Sequence, residues 1–74
     1  MRYEVITARH LVSLGAFVSF KMKSGWTPQG GIYGQPLDGI VREPIWHIGE
    51  DGEFAMSSEN STSDTNWCQA MILV

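Results

Sequence analysis

The chain has a single cysteine, Cys68, among its 74 residues, so no internal disulfide can form. A structural zinc site is excluded as well, because His10, His47 and Cys68 stand far apart and no pair has ligand spacing. Basic residues are scarce: five Lys and Arg against eight Asp and Glu give a net charge of −3, and Lys21 with Lys23 is the nearest approach to a basic run. Double-stranded nucleic acid, whose capture depends on neutralising phosphates, is therefore a poor partner. Room remains for a small local basic site that holds one phosphate. No apolar run approaches the roughly 20 residues of a membrane span. No leader pattern precedes the strand-like Tyr3-Glu4-Val5-Ile6-Thr7, which makes a bacterial cytoplasm the expected compartment and no membrane an expected partner. Asn60-Ser61-Thr62 spells a glycosylation sequon, yet a cytoplasmic chain never meets the enzyme that reads it.

These absences matter because the chain is short. One domain, residues 1–74, is all that 74 residues allow. A domain of that size buries only about 60% of its unfolded surface, and its core rarely supplies more than about 5 kcal/mol. With disulfide and metal eliminated, assembly with further copies of the chain is the remaining common source of stability, and a homo-oligomer is expected.

What is present reads as an α+β chain. Arg2 to Thr7 alternates and is rich in β-branched residues, which predicts a first strand. From Arg9 to Ser24, Leu11, Leu14, Val18 and Met22 recur at helical steps, extended by Phe17, and this arc is expected to face a sheet. Val12, Ala16 and Phe20 form a second apolar stripe where a solvated helix would be polar, so the helix needs a second partner. Gly25-Trp26-Thr27-Pro28-Gln29-Gly30-Gly31 then stops the helix: Gly25 suits a left-handed cap and Pro28 forbids continuation.

A second strand is expected from Trp26 to Tyr33, bent at Gly30-Gly31, followed by a loop over Gly34-Gln35-Pro36-Leu37-Asp38-Gly39. Ile40 to Ile48 alternates again, with Pro44 marking an edge or bulge. Gly49-Glu50-Asp51-Gly52 predicts a hairpin through a primed turn at Asp-Gly, and Glu53 to Ser58 the return strand. The polar stretch from Ser57 to Asn66 reads as a mobile loop. Trp67 to Val74 is apolar and β-prone, fit for the middle of a sheet or for a subunit interface. The expected layout is thus β-α-β-β-β-β, one helix on a small, mainly antiparallel sheet: a β-α-β unit over 1–33, an inserted hairpin and polar loop over 34–66, and a terminal strand over 67–74. The helix stripe and terminal strand supply the expected subunit contacts, Val12, Phe17, Phe20, Trp67 and Met71.

The opening Tyr3-Glu4-Val5-Ile6-Thr7-Ala8, the Gly-Trp-x-Pro-x-Gly-Gly turn and the closing Gln69-Ala70-Met71 resemble a family of short bacterial and phage proteins catalogued as a domain of unknown function. The resemblance covers about residues 2–32 and 67–73 and implies a β-α-β-β layout. Members of that family typically carry a charged helix and a short hairpin. Here the helix is apolar on two sides, and a long segment separates Ile32 from Trp67.

Catalytic signatures are missing. No nucleophile elbow surrounds any Ser, and Cys68 sits in an apolar strand where thiols are normally inert. Glu50, Asp51 and Glu53 flank a turn and read as solvated. Gly30-Gly31-x-x-Gly34 lacks the Lys-Ser/Thr and the helix of a phosphate loop, and reads as a bulge or a close packing point. The constellation that stands out is Arg42, Glu43, Trp46 and His47, with Tyr33 upstream. A guanidinium forks onto phosphate, an aromatic face stacks on a base, and His or Glu reads a base edge. On a regular strand Arg42 and Trp46 share a face about 13 Å apart, the span of a nucleotide lying along it. The bland alternative places Trp46 in the core and leaves Arg42 and His47 as ordinary edge residues.

The expected function is accordingly non-enzymatic and cofactor-free: a phage-borne homo-oligomer that sequesters a nucleotide-type signal between subunits and so blunts host defence. Its rivals are a protein-protein inhibitor or adaptor that binds a host protein through the helix stripe or terminal strand, and a structural accessory protein.

Overall fold

In the computed structural model, which describes residues 1–74, four elements follow in the order β1 (Arg2–Ala8), α1 (Leu11–Lys23), β2 (Thr27–Ile48) and β3 (Phe54–Leu73). The fold is α+β, one helix packed on a three-stranded antiparallel sheet of order β1-β3-β2. Its last segment, residues 67–73, lies between the two other strands, which its apolar character favours. No helix is long and apolar enough to cross a membrane.

Two expected loops are strand. Gly34 to Gly39 belongs to the 22-residue β2, and Ser57 to Asn66 belongs to the 20-residue β3. The layout is therefore β-α-β-β, with two long strands where four short ones were expected. The turn-prone residues of β2 do not reverse the chain; they widen the ladder. Leu37 to Ile40 bulge out opposite Asp64 alone, and Gly30 to Ile32 stand opposite Gln69 alone. A third irregularity lies on the other strand, where Ser57 to Glu59 face Ile45.

Side chains secure two of these bulges. The buried Gln69 amide donates to the carbonyls of Gln29 and Gly30, each at 3.2 Å, where Gly30 takes a φ of 75°. Ser57 Oγ accepts the Ile45 N–H at 2.9 Å. The polar stretch thus folds by pairing with β2 and by turning small hydroxyls toward backbone groups, a source of order that its lack of apolar side chains conceals.

The helix ends as its residues dictate. Gly25 has a φ of 92°, its N–H donates to Met22 O at 3.1 Å, and the Trp26 N–H reaches back to Lys21 O at 3.2 Å. This is the paired-bond Schellman stop, and Lys21 and Lys23 in the last turn suit the helix dipole. The Lys21 ammonium lies 4.9 Å from the centre of the Trp26 ring and 3.0 Å from Glu4 Oε2, tying the helix end to β1. The N-terminus is plainer: His10 offers no side-chain cap.

The hairpin turn differs from expectation. Gly52 N–H donates to Gly49 O at 3.0 Å, but neither Glu50 nor Asp51 takes a positive φ, so the turn is not of a primed type. The left-handed residue is Gly52, at 81°, which follows the two central residues.

The core gathers Ile6, Ala8, Leu14, Trp26 and Met71, with Phe17, Val18, Trp67 and Leu73 packed around it. The buried helix face is rotated from the expected arc. Leu14 is fully buried and Phe17 and Val18 are half-buried, whereas Leu11 and Met22 are about half exposed and Ser13 is buried instead. The cause is the far end of the β2–β3 hairpin, which reaches the helix on the Ser13 and Phe17 flank. Phe54 meets Phe17 edge-on at 5.6 Å and Phe20 at 4.9 Å between ring centres.

Candidate binding surface

The distal half of β2 lies against the start of the helix, and this docking decides what each predicted ligand residue can do. Ser13 Oγ accepts the Trp46 N–H at 2.8 Å, and His10 Nε2 lies 3.2 Å from Glu43 O. Two side chains of the first helical turns thereby satisfy backbone groups of an edge strand, which would otherwise be open to pairing. Ser13 is a short hydroxyl placed where an apolar side chain would have no acceptor to offer. Arg9, between β1 and α1, completes the clamp: Nη1 donates to Asn66 Oδ1 at 3.0 Å, and Nε lies 4.0 Å from Glu43 Oε1. Arg9 Nε is itself buried without a hydrogen-bond partner, so Glu43 serves it as a counter-charge at a distance. From β3, Ser63 Oγ donates to Arg9 O.

This clamp separates the predicted residues. Glu43 is engaged with Arg9 and is half-buried. Trp46 is half-buried too, edge-on to Phe54 at 6.4 Å between ring centres, on the side of the aromatic group around the helix. Between Pro44 and Trp46 the ladder is irregular, with Ser57 to Glu59 of β3 standing opposite Ile45. Arg42 and His47 are exposed, and Arg42 forms neither an ion pair nor a hydrogen bond within the chain. Tyr33 is exposed, pairs with Cys68 and belongs to the opposite end of β2. The five residues do not converge on one spot in a single chain.

Of the expected interface residues, Val12 and Phe20 are exposed, and Phe17 and Trp67 pack on the core. Met71 is fully buried within the chain and has no surface to offer a partner. Its position on β3 faces α1, so an apolar terminal strand was in this case a core strand.

An open depression of about 220 Å³ is lined by Ile40, Thr62, Ser63 and Asp64. It lies on the bulged middle of the hairpin and includes none of the predicted ligand residues. No group of three or more His, Cys, Asp or Glu side chains is placed to hold a metal ion.

Sequence reasoning passed over Arg9, His10, Ser13, Ser63 and Asn66, the polar clamp. It also passed over the sheet face that turns away from the helix. Register puts Tyr3, Val5 and Thr7 of β1, Thr27, Gln29 and Tyr33 of β2, and Cys68, Ala70 and Ile72 of β3 on that side. Alternation within β1 carried half of this signal, since Tyr3, Val5 and Thr7 share a face; the pairing of β3 with both neighbours supplied the rest.

Comparison of the chain with protein-family models, with curated proteins and with solved structures finds no match.

Proposed function

We propose that the protein is a non-enzymatic binding protein that acts as an assembly of identical chains and takes an anionic, nucleotide-type small molecule between subunits. In a phage-borne setting such capture would withdraw a signalling molecule from host defence. The observation that carries the reading is the exposed, unpaired guanidinium of Arg42 on a chain without an enclosed pocket. An open depression of about 220 Å³ falls short of the roughly 300–1,000 Å³ of small-molecule sites. A second chain has to complete any such site. Arg42 supplies the forked contact to phosphate, and the exposed His47 on the same half of β2 supplies a base-edge contact.

Native mass spectrometry together with thermal shift against mono-, di- and cyclic nucleotides tests this. The expected result is an oligomer that is stabilised by at least one nucleotide, with uptake lost in Arg42→Ala while the oligomer persists. An oligomer indifferent to every nucleotide refutes ligand capture.

A second reading, inhibition of a host protein, is favoured by one feature: Leu11, Val12, Phe20 and Met22 leave the helix with large exposed apolar side chains. A chain that stays monomeric and binds no nucleotide would favour it.

A further inference from the structure

We infer that the open face of the sheet is where a second copy of this chain packs, sheet against sheet, with Tyr3, Val5, Tyr33, Cys68, Ala70 and Ile72 at the contact. The inference deepens the assembly on which the proposed function rests, by naming its surface.

The first ground is polarity. A one-sided antiparallel sheet normally shows water an alternation of polar side chains on its free face. Here that face carries Tyr3 at 64% exposure, Val5 at 53% and Tyr33 at 63%, with Ala70 and Ile72 of the central strand between them. In the three-stranded part of the sheet the remaining positions on this side are Thr7, Thr27, Gln29, Gln35, Asn66 and Cys68, all uncharged; Arg42, opposite Thr62, comes only farther along the hairpin. The charged residues of β1, Arg2 and Glu4, pair with Leu73 and Met71 and so lie on the helix side.

The second ground is shape. The chain exposes 5056 Å², against about 4,500 Å² expected for a compact monomer of this mass. Its radius of gyration is 12.8 Å, against about 11 Å for a compact chain of this length. The extents of 36 × 32 × 14 Å describe a plate. Stacking two such plates at the usual sheet spacing of about 10 Å gives a body of more even proportions and covers the face that lacks a layer.

The third ground decides the occupant. The chain carries a net charge of −3, so any contact between copies through charged surface meets like-charge repulsion. The uncharged patch at the three-stranded end of the sheet avoids it. The same neutrality offers no feature to select a partner by charge, and a flat two-fold contact of one patch with itself needs only self-complementarity. Tyr is suited to such a contact, with a broad apolar body and a hydroxyl at its rim.

Cys68 reports on the contact, because it sits on the central strand in the middle of this face and is only partly exposed already. The test combines sedimentation velocity with the rate of Cys68 alkylation by iodoacetamide in the wild-type chain, Val5→Glu, Tyr33→Lys and the helix-face control Val12→Glu. The expected result is a wild-type mass twice 8.2 kDa or a higher even multiple, with Cys68 alkylated at least about tenfold faster in Val5→Glu and Tyr33→Lys than in wild type. Both sheet-face variants should sediment at half the mass while keeping the wild-type far-UV circular dichroism. Two variants on different strands guard against one that fails to fold. If Val12→Glu breaks the assembly and the sheet-face variants leave it intact, this inference is overturned while the assembly itself stands. A monomeric wild type overturns both.

Discussion

Replacing Gly34 by Ala perturbs the fold at one atom. Gly34 faces Trp67 across the β2–β3 ladder. A Cβ there would sit 2.6 Å from Cζ3 and 2.9 Å from Cε3 of the indole, and 3.3 Å from Thr65 Cγ2, whereas carbon atoms rest about 3.5–4.0 Å apart. Gly34 does not have a positive φ, so backbone strain is not part of the cost. The ring has little freedom to retreat, because Trp67 packs on the cluster of Ile6, Ala8, Leu14, Trp26 and Met71. Overpacking of this kind costs about 1–3 kcal/mol, offset by the roughly 0.4–1 kcal/mol that Ala gains over Gly by restricting the unfolded chain. The net loss of about 1–2 kcal/mol corresponds to a fall in Tm of roughly 4–16 °C for a domain of this size. Gly39→Ala is the matched control, since a Cβ there meets nothing within 4 Å, and it should leave stability unchanged or raise it by up to about 1 kcal/mol. Thermal unfolding followed by circular dichroism measures both, at several protein concentrations because association shifts Tm. Equal midpoints for the two variants would refute the packing of Trp67 over Gly34.

Three further substitutions probe the buried groups. Ser13→Ala removes the acceptor of the Trp46 N–H at a site 3% exposed and should cost about 1–3 kcal/mol in denaturant unfolding; a loss within experimental error would mean that the hairpin does not dock on the helix. Gln69→Leu strips the donors from Gln29 O and Gly30 O, a similar cost, and hydrogen exchange should accelerate first around the Gln29 to Tyr33 bulge rather than throughout β3. Met71→Ala empties the centre of the core, where Met71 is fully buried. Its cost of about 2–5 kcal/mol is large enough to unfold a domain this small at room temperature, which far-UV circular dichroism would show.

The α+β class, the helix, its left-handed stop at Gly25 and the first strand were all legible, because each has a local cause: alternation, helical periodicity, or a residue needed for one backbone geometry. The strands after Gly30 were not. Gly34, Pro36 and Gly39 carry turn chemistry, yet the chain spends it on a bulge, since pairing with β3 holds β2 extended on both sides. Ser57 to Asn66 gave no apolar signal, because its inward positions include the hydroxyls of Ser57 and Ser63, which bind backbone groups of Ile45 and Arg9. The ligand set depends on long-range contacts too: Glu43 and the Trp46 N–H are taken up by Arg9 and Ser13 at the start of the helix, which no local pattern announces. Met71 was misplaced because an apolar strand fits a core and an interface equally well until its neighbours are known.

The core of this fold is apolar but small, and the placement of polar and large apolar groups around it links its shape to its proposed behaviour. Polar groups work on the inside: Ser13, Gln69 and Arg9 hold the curled hairpin to the helix and to its own bulges. Large apolar groups stand outside, on the free sheet face and along the outer helix. Hydrogen bonds to backbone are directional, so the inward set fixes where the strands run. Their net contribution to stability is only about 1 kcal/mol each, and six buried hydrophobic residues make a small core. Shape is thus specified within one chain, while the apolar area that would stabilise it most remains in water. Covering the sheet face with an identical face supplies the missing layer without bringing charges together. It also leaves Arg42, farther along β2 than the three-stranded part of the sheet, exposed beside the proposed contact, at the edge where a second chain would complete a ligand site.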